Sequence, residues 1–258
     1  MVLLNDVNEI DKVKHNQILK LVTSSFYKEL VNYGVNDSDI ITVSVNLLDY
    51  VTKKKGPADN GNENYSAVMA LSDIQNAWQE KKELTLKNVT IAPLRLKDIA
   101  VVKSWLEFPE IDQTFIRFFP KDEAALTEYL IQDTDKAYFR IGYEDKEIVG
   151  IIGAENMDEQ ALKLEMKKLV GCREQRGKGI GKLATFLFLY YTFEILNYNK
   201  VYIHSLDTNI KNINLNSKFG FELEGILFAE VRVEDSFRDV LRMSLIRQIW
   251  EDIFYNGR

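Results

Sequence analysis

"CREQRGKGIGKLATFLFLYY", Cys172 to Tyr191, sets three glycines and four cations in a short turn and then runs into an apolar, helix-like stretch. Glycine has no Cβ and tolerates positive φ, so the backbone around it can close on a ligand. A helix N-terminus adds unpaired N–H groups and the positive end of the helix dipole. Together they make an anion site suited to phosphate. A solvated loop with C-capping glycines does not fit, because these glycines precede the helix.

Two familiar phosphate patterns fail on this stretch. A P-loop needs G-x-x-x-x-G-K-[ST], but Leu183 follows Gly181-Lys182 and no glycine stands at the required upstream position. Gly179-x-Gly181-x-x-Ala184 fits the dinucleotide fingerprint, with Asp207 near the place of a ribose-binding acid. The strand before it, "ALKLEMKKLV", alternates polar and apolar residues, whereas a buried parallel strand of that fold is nearly all apolar. The flanks read as hairpins, not as further βαβ units. "KAYFRIGYE" and "KEIVGIIGAENM" are two strands joined by a short turn, and "FELEGILFAEVRVE" and "RDVLRMSLIR" are two more. "LTLKNVTIAPL" alternates like one strand, and "KDIAVVKSWLEF" and "DEAALTEYLIQD" read as helices.

In these surroundings Arg176-Gly177-Lys178-Gly179-Ile180-Gly181 resembles the acetyl-CoA pyrophosphate loop of the GNAT N-acetyltransferases, [RQ]-x-x-G-x-[GA]. The resemblance runs over residues 89–258. It includes "IAPLRLKDIAVVKSWL", like the opening strand and first helix, and "DTNIKNINLNSKFGFELEGIL", like the Asn-containing helix and Gly-Phe strand. "FRDVLRMSLIRQIW" is similar to the end of the branch with ribosomal-protein, spermidine and amino-sugar-nucleotide acetyltransferases. The resemblance implies an α+β fold, a mixed but mostly antiparallel sheet flanked by helices. Residues 1–88 lie outside it and read as a small, mainly helical N-terminal domain. "EIDKVKHNQILKLVTSSFYKELVNYG" carries a helical apolar period up to Gly34. "NDSDIITVSVNLLDYVTKK" suits a helix by its capping residues and a strand by its β-branched ones. A further helix is expected over Ser66 to Lys82.

The resemblance also implies the site. Backbone N–H groups from Arg176 through Gly177, Lys178, Gly179 and Ile180 to Gly181 would hold the pyrophosphate of acetyl-CoA, with Lys182 adding charge. Leu169, Asn209 and Asn216 complete the implied cofactor set. Asn209 serves equally as a helix N-cap. Transfer to an amine needs a base and a donor for the leaving thiolate. Glu165 stands on the strand where the family often places a glutamate. Strand alternation accounts for it as well, and Glu155 is the second candidate. Relatives place a Tyr or Ser donor where this chain has Asn216 and Asn212. Cys172 reads as a small buried residue and His204 as a structural or supporting one.

Composition agrees with this reading. The chain has 258 residues, 46% of them hydrophobic, which supports a buried core. A net charge of −6 gives no reason to expect a nucleic-acid partner. One cysteine and two histidines exclude an internal disulfide and a Cys-based zinc site, so no metal is expected. No secretory signal and no spanning apolar run are visible, so the expectation is a cytoplasmic protein with no membrane partner. The function expected is N-acetyl transfer from acetyl-CoA by direct attack of a primary amine. The acceptor is a small molecule, such as an amino-sugar nucleotide or polyamine, or a protein N-terminus. A homodimer is compatible with it. The competing reading is a non-catalytic acyl-CoA-binding scaffold that recruits a partner through residues 1–88.

Overall fold

A computed structural model describes residues 19–32, 34–41, 43–44, 65–113, 115–206, 210–233 and 235–256. The chain divides into two compact units, Met1–Asn62 and Glu63–Arg258. In the first, residues 19–32 and 37–41 are helical, and Gly34 follows the longer helix at φ 76°. The remainder of the expected N-terminal helices lies outside the described residues.

The second unit is one nine-stranded sheet. Its strands are β1 (Gln75–Ala77), β2 (Glu83–Leu86), β3 (Val89–Pro93), β4 (Ala137–Tyr143), β5 (Lys146–Asp158), β6 (Lys163–Val170), β7 (Lys200–Leu206), β8 (Glu222–Val233) and β9 (Ser236–Ile246). They lie in the order β1-β2-β3-β4-β5-β6-β7-β9-β8. Every neighbouring pair is antiparallel except β6 and β7. The helices are α1 (Ile99–Leu106), α2 (Glu123–Thr127, continued by a π turn to Gln132), α3 (Ile180–Tyr190, continued by a π turn to Ile195), α4 (Ile210–Ser217) and α5 (Arg247–Phe254). This is the mixed, mostly antiparallel architecture expected.

Side-chain alternation divides the core into two layers. Phe139, Ile141, Ile152, Leu164, Met166, Val201 and Ile203 pack with α3 and α5 in one cluster. Their strand neighbours Tyr138, Ile151 and Leu169 pack with Ile99, Val102, Trp105 and Leu126 in the other. On α3, Phe186, Leu187, Phe188 and Leu189 have no exposed surface. Each such side chain contributes about 1.5–3 kcal/mol on burial.

Two local expectations change. The apolar period over Ser66–Lys82 is not one helix. It becomes 3-10 turns at Tyr65–Ala67 and Leu71–Asp73, then β1, then a single helical turn at Trp78–Lys81. Tyr65, Leu71, Ile74 and Trp78 still reach the first cluster. "LTLKNVTIAPL" is not one strand but the β2–β3 hairpin, with Leu86 opposite Val89 and Lys87 at φ 55° in the turn. The boundary expected at residues 88/89 falls in this turn, inside the second compact unit, which begins at Glu63.

Truncating Phe186 to Ala removes a ring that packs on Phe219, Trp250 and Phe254. The expected loss is about 3–5 kcal/mol of stability, read as a lower urea midpoint with unchanged slope.

Candidate functional site

The parallel contact of β6 and β7 is short. Lys163, Leu164 and Glu165 pair with Lys200, Val201 and Tyr202, and no pairing follows. The two strands therefore part toward their C-terminal ends. At the top of β6, Gly171 and Cys172 both donate to Val149 O (3.0 and 3.1 Å), a β-bulge. Counting back from this bulge, ladder alternation sends the N–H groups of Glu165, Lys167 and Leu169 toward β5. Those of Lys168 and Val170 face the split. Leu169, expected among the cofactor residues, thus spends its N–H on β5 and buries its side chain in the second cluster.

The glycine turn closes over the end of β6. A 3-10 turn, Arg173–Gln175, leads to Gly177 at φ 83° and Gly179 at φ 81°. Gly179 is the N-cap of α3 and offers no capping side chain, and its carbonyl accepts from Lys182 and Leu183, which leaves the Ile180 and Gly181 N–H groups to open the helix. A Cβ on Gly177 would meet nothing within 4 Å, and one on Gly181 would meet only Val170 Cγ2 at 3.6 Å. The turn's cations split into two pairs. Arg173 binds Glu110 through two hydrogen bonds (2.8 and 2.7 Å), and Arg176 binds Glu110 (2.7 Å), Val170 O (2.9 Å) and Gly171 O (3.3 Å). These bonds, Arg173 foremost, hold the Glu110 carboxyl at about 2. Lys178 donates to Gln175 (2.8 Å), and Lys182 lies 5.2 Å over the Tyr65 ring. Neither makes an ion pair among the described residues. Among the described residues the turn's cations without an ion pair are thus Lys178 and Lys182, while Arg176 braces the strand end.

On the α1 and α2 side of the sheet, Glu155 and Glu165 stand directly opposite each other on β5 and β6, both buried. Glu165 accepts from Lys167 Nζ, from His204 Nδ1 (2.9 Å) and from Asn156 Nδ2 (2.9 Å). Burial would raise its pKa, but the bonds from His204 and Lys167 outweigh it and hold the carboxyl at about 2. Glu155 accepts from the Tyr129 and Tyr138 hydroxyls, the latter at 2.6 Å, and its other oxygen lies 3.9 Å from Lys167 Nζ. Burial, with Glu155 beside them, raises both phenols. Gly153 makes room for this arrangement, since a Cβ there would sit 2.4 Å from Tyr138 Cδ1. Glu165 and Glu155 therefore share one face. The β5–β6 register shifts just beyond this pair, between Glu155 and Asp158.

Across the sheet, Asn216 on α4 is fully buried. Its Nδ2 donates to Asn212 O (2.8 Å) and Oδ1 (3.1 Å), while its own Oδ1 is buried without a donor. Asn209 lies outside the described residues. Cys172 is partly exposed and donates to Glu174 (3.0 Å), not buried as expected. His204 meets Glu165 through Nδ1. Lys167, Lys168, Tyr129 and Tyr138 were not singled out from sequence. A lysine in the apolar phase Leu164, Met166, Lys168 was the available signal. Among the described residues no group of three or more His, Cys, Asp or Glu is placed to hold a metal, and no helix is long and apolar enough to cross a membrane.

A family model described as an acetyltransferase (GNAT) domain matches residues 88–222. The chain belongs to the GNAT acetyltransferase family. This GNAT chain is 25% identical over 170 residues to the spermidine N(1)-acetyltransferase of Escherichia coli K12, covering 62% of this chain and 87% of that one. It is 27% identical over 117 residues to the Vibrio cholerae spermidine N(1)-acetyltransferase, covering 45% and 67%. The V. cholerae spermidine N-acetyltransferase solved with CoA and spermine superposes with a TM-score of 0.59 at 22% identity, over 63% of this chain and 98% of that one. That likeness establishes the shared fold.

Glu165 has its carboxyl depressed from an ordinary 4.5 to about 2. Its contribution to stability is therefore present above pH 4.5 and lost as pH falls toward about 2. Glu165→Gln should unfold at a lower urea concentration at pH 6, by about 1–3 kcal/mol, because it removes the carboxylate charge that Lys167 and His204 share. Its stability should also fall less steeply than the parent's between pH 4.5 and 2. A parallel loss of stability in both proteins over that window would count against the assignment.

Proposed function

We propose that this chain transfers the acetyl group of acetyl-CoA to a small primary amine, with polyamines as the acceptor class. The observation that carries the acceptor reading is the position of Lys167. Its ammonium lies between the Glu155 and Glu165 carboxylates, so the gap between them already holds one alkylammonium. Two carboxylates against one ammonium leave negative charge to draw in a second cation. The named polyamine activity of the spermidine acetyltransferase relatives supports the same class.

In this reading the N–H groups opening α3 hold the pyrophosphate, with Lys178 and Lys182 supplying charge. The split between β6 and β7 receives the pantetheine arm, and the Lys168 or Val170 N–H polarises the acetyl carbonyl. The buried Asn216 Oδ1 is an acceptor suited to an amide N–H of that arm. A carboxyl at about 2 is a poor match for an alkylammonium near about 10. Glu165 therefore serves to orient His204: it accepts from Nδ1, which makes Nε2 the basic atom of the ring. Glu155 holds the incoming cation.

Asn212 and Asn216, standing where relatives place a proton donor, favour a second reading, an acyl-CoA-binding scaffold. Thiol release with acetyl-CoA and a panel of amines separates the two. We expect turnover with spermidine or spermine above that with amino sugars. CoA binding with no thiol release from any amine would leave the scaffold. Replacing Lys178 and Lys182 together by Ala should raise the KM for acetyl-CoA by about 10–100-fold with kcat changed little. An unchanged KM would remove the glycine turn from the phosphate site.

A further inference from the structure

Lys167 and Lys168 are consecutive on β6 and point to opposite faces of the sheet. Lys167 meets two carboxylates. Lys168 points toward α3, where its Nζ donates to Thr185 Oγ1 at 2.8 Å, and it makes no ion pair among the described residues. Thr185 is buried and donates to Gly181 O (2.7 Å), so its oxygen is free to accept from the lysine. Gly181 belongs to the glycine turn, and Lys168 lies where β6 has parted from β7. This ammonium is therefore fixed between the turn and the split, on the face that also carries α4.

An ammonium placed there without a counter-charge is costly unless an anion arrives or a proton leaves. Burial takes its pKa down to about 7, so at neutral pH both protonation states are accessible. The reaction creates an anion in this region, the thiolate that departs when the acetyl group is transferred. The α4 positions where relatives place a proton donor carry Asn212 and Asn216, whose amides have no proton to give in this range.

Resting on the acetyl-CoA reading above, we propose that Lys168 is the proton donor to the departing CoA thiolate. The acceptor nitrogen bonds to the acetyl carbon and loses its proton to the base on the opposite face. The carbon–sulfur bond then breaks, sulfur keeps the electron pair, and one proton passes from Lys168 Nζ to sulfur. The resulting Lys168 amine regains a proton from solvent, and Thr185 holds it in place throughout.

Two measurements on the full chain test this. In steady-state assays, Lys168→Met should lower kcat by about 100-fold or more while the KM for acetyl-CoA moves less than about threefold. The parent's kcat should fall as pH rises through the lysine's titration, and that limb should be missing in the variant. Lys168→Arg keeps the charge but holds its proton too tightly, so it should bind CoA as the parent does without restoring kcat. The second measurement needs no acceptor. Ultraviolet absorbance of the thiolate, with desulfo-CoA as blank, should give bound CoA a thiol pKa at least about one unit below that of free CoA in the parent and not in Lys168→Met. A kcat within about twofold of the parent, an unshifted bound thiol, or acetylation of Lys168 itself in peptide mapping would overturn the proposal. If the parent binds no CoA, the acetyl-CoA reading has failed and this one with it. If CoA binds with its thiol unshifted, only the role of Lys168 has failed. Should Lys168→Met not fold, the parent's thiol titration and Lys168→Arg decide.

Discussion

Everything in the site follows from the ladder between β6 and β7 stopping after three residue pairs. A continued ladder would spend every backbone group of both strands on each other. Where it stops, N–H and C=O groups stay open at the strand ends, and buried backbone groups must find partners. The same strand then turns through two glycines at positive φ into α3, whose first N–H groups are also open. Two sets of unspent donors thus lie at one end of the sheet, and an extended ligand ending in phosphates satisfies both.

The sheet also separates the chemistry by face. Odd-numbered residues of β6 meet the α1 and α2 layer, where Glu165 and Lys167 join Glu155, His204 and two tyrosines. Even-numbered residues meet α3, where Lys168 stands among apolar neighbours. Burying several charges is expensive, and the network offsets this by hydrogen-bonding nearly every oxygen of the two carboxylates. Such a network also fixes side-chain directions, which an amine acceptor needs more than it needs bulk negative charge.

The glycine turn and its helix were legible from sequence because Gly, cation and apolar run each carry a local physical reason. The hairpins after residue 137 followed from alternation. The edge of the sheet did not. The β2–β3 turn uses Lys87 at positive φ rather than glycine, so nothing in its composition marks it. Tyr65, Leu71, Ile74 and Trp78 imitate a helical period because they fill one apolar layer from turns and a short strand. Within the site, Glu155 and Glu165 could be named, but their shared face depends on the β5–β6 register. Tyr129, 26 residues from its partner Glu155, belongs to a helix whose docking no local pattern encodes.

Glu110 joins Arg173 and Arg176 from a turn more than sixty residues upstream. The glycine turn is therefore not a self-contained cassette. A chimera that carried only residues 172–182 into a related scaffold would bring two guanidinium groups and leave their shared carboxylate behind. The portable unit is discontinuous, and it includes the turn between α1 and α2 that carries Glu110. Recombination at this site has to respect a boundary drawn by one carboxylate rather than by the order of the chain.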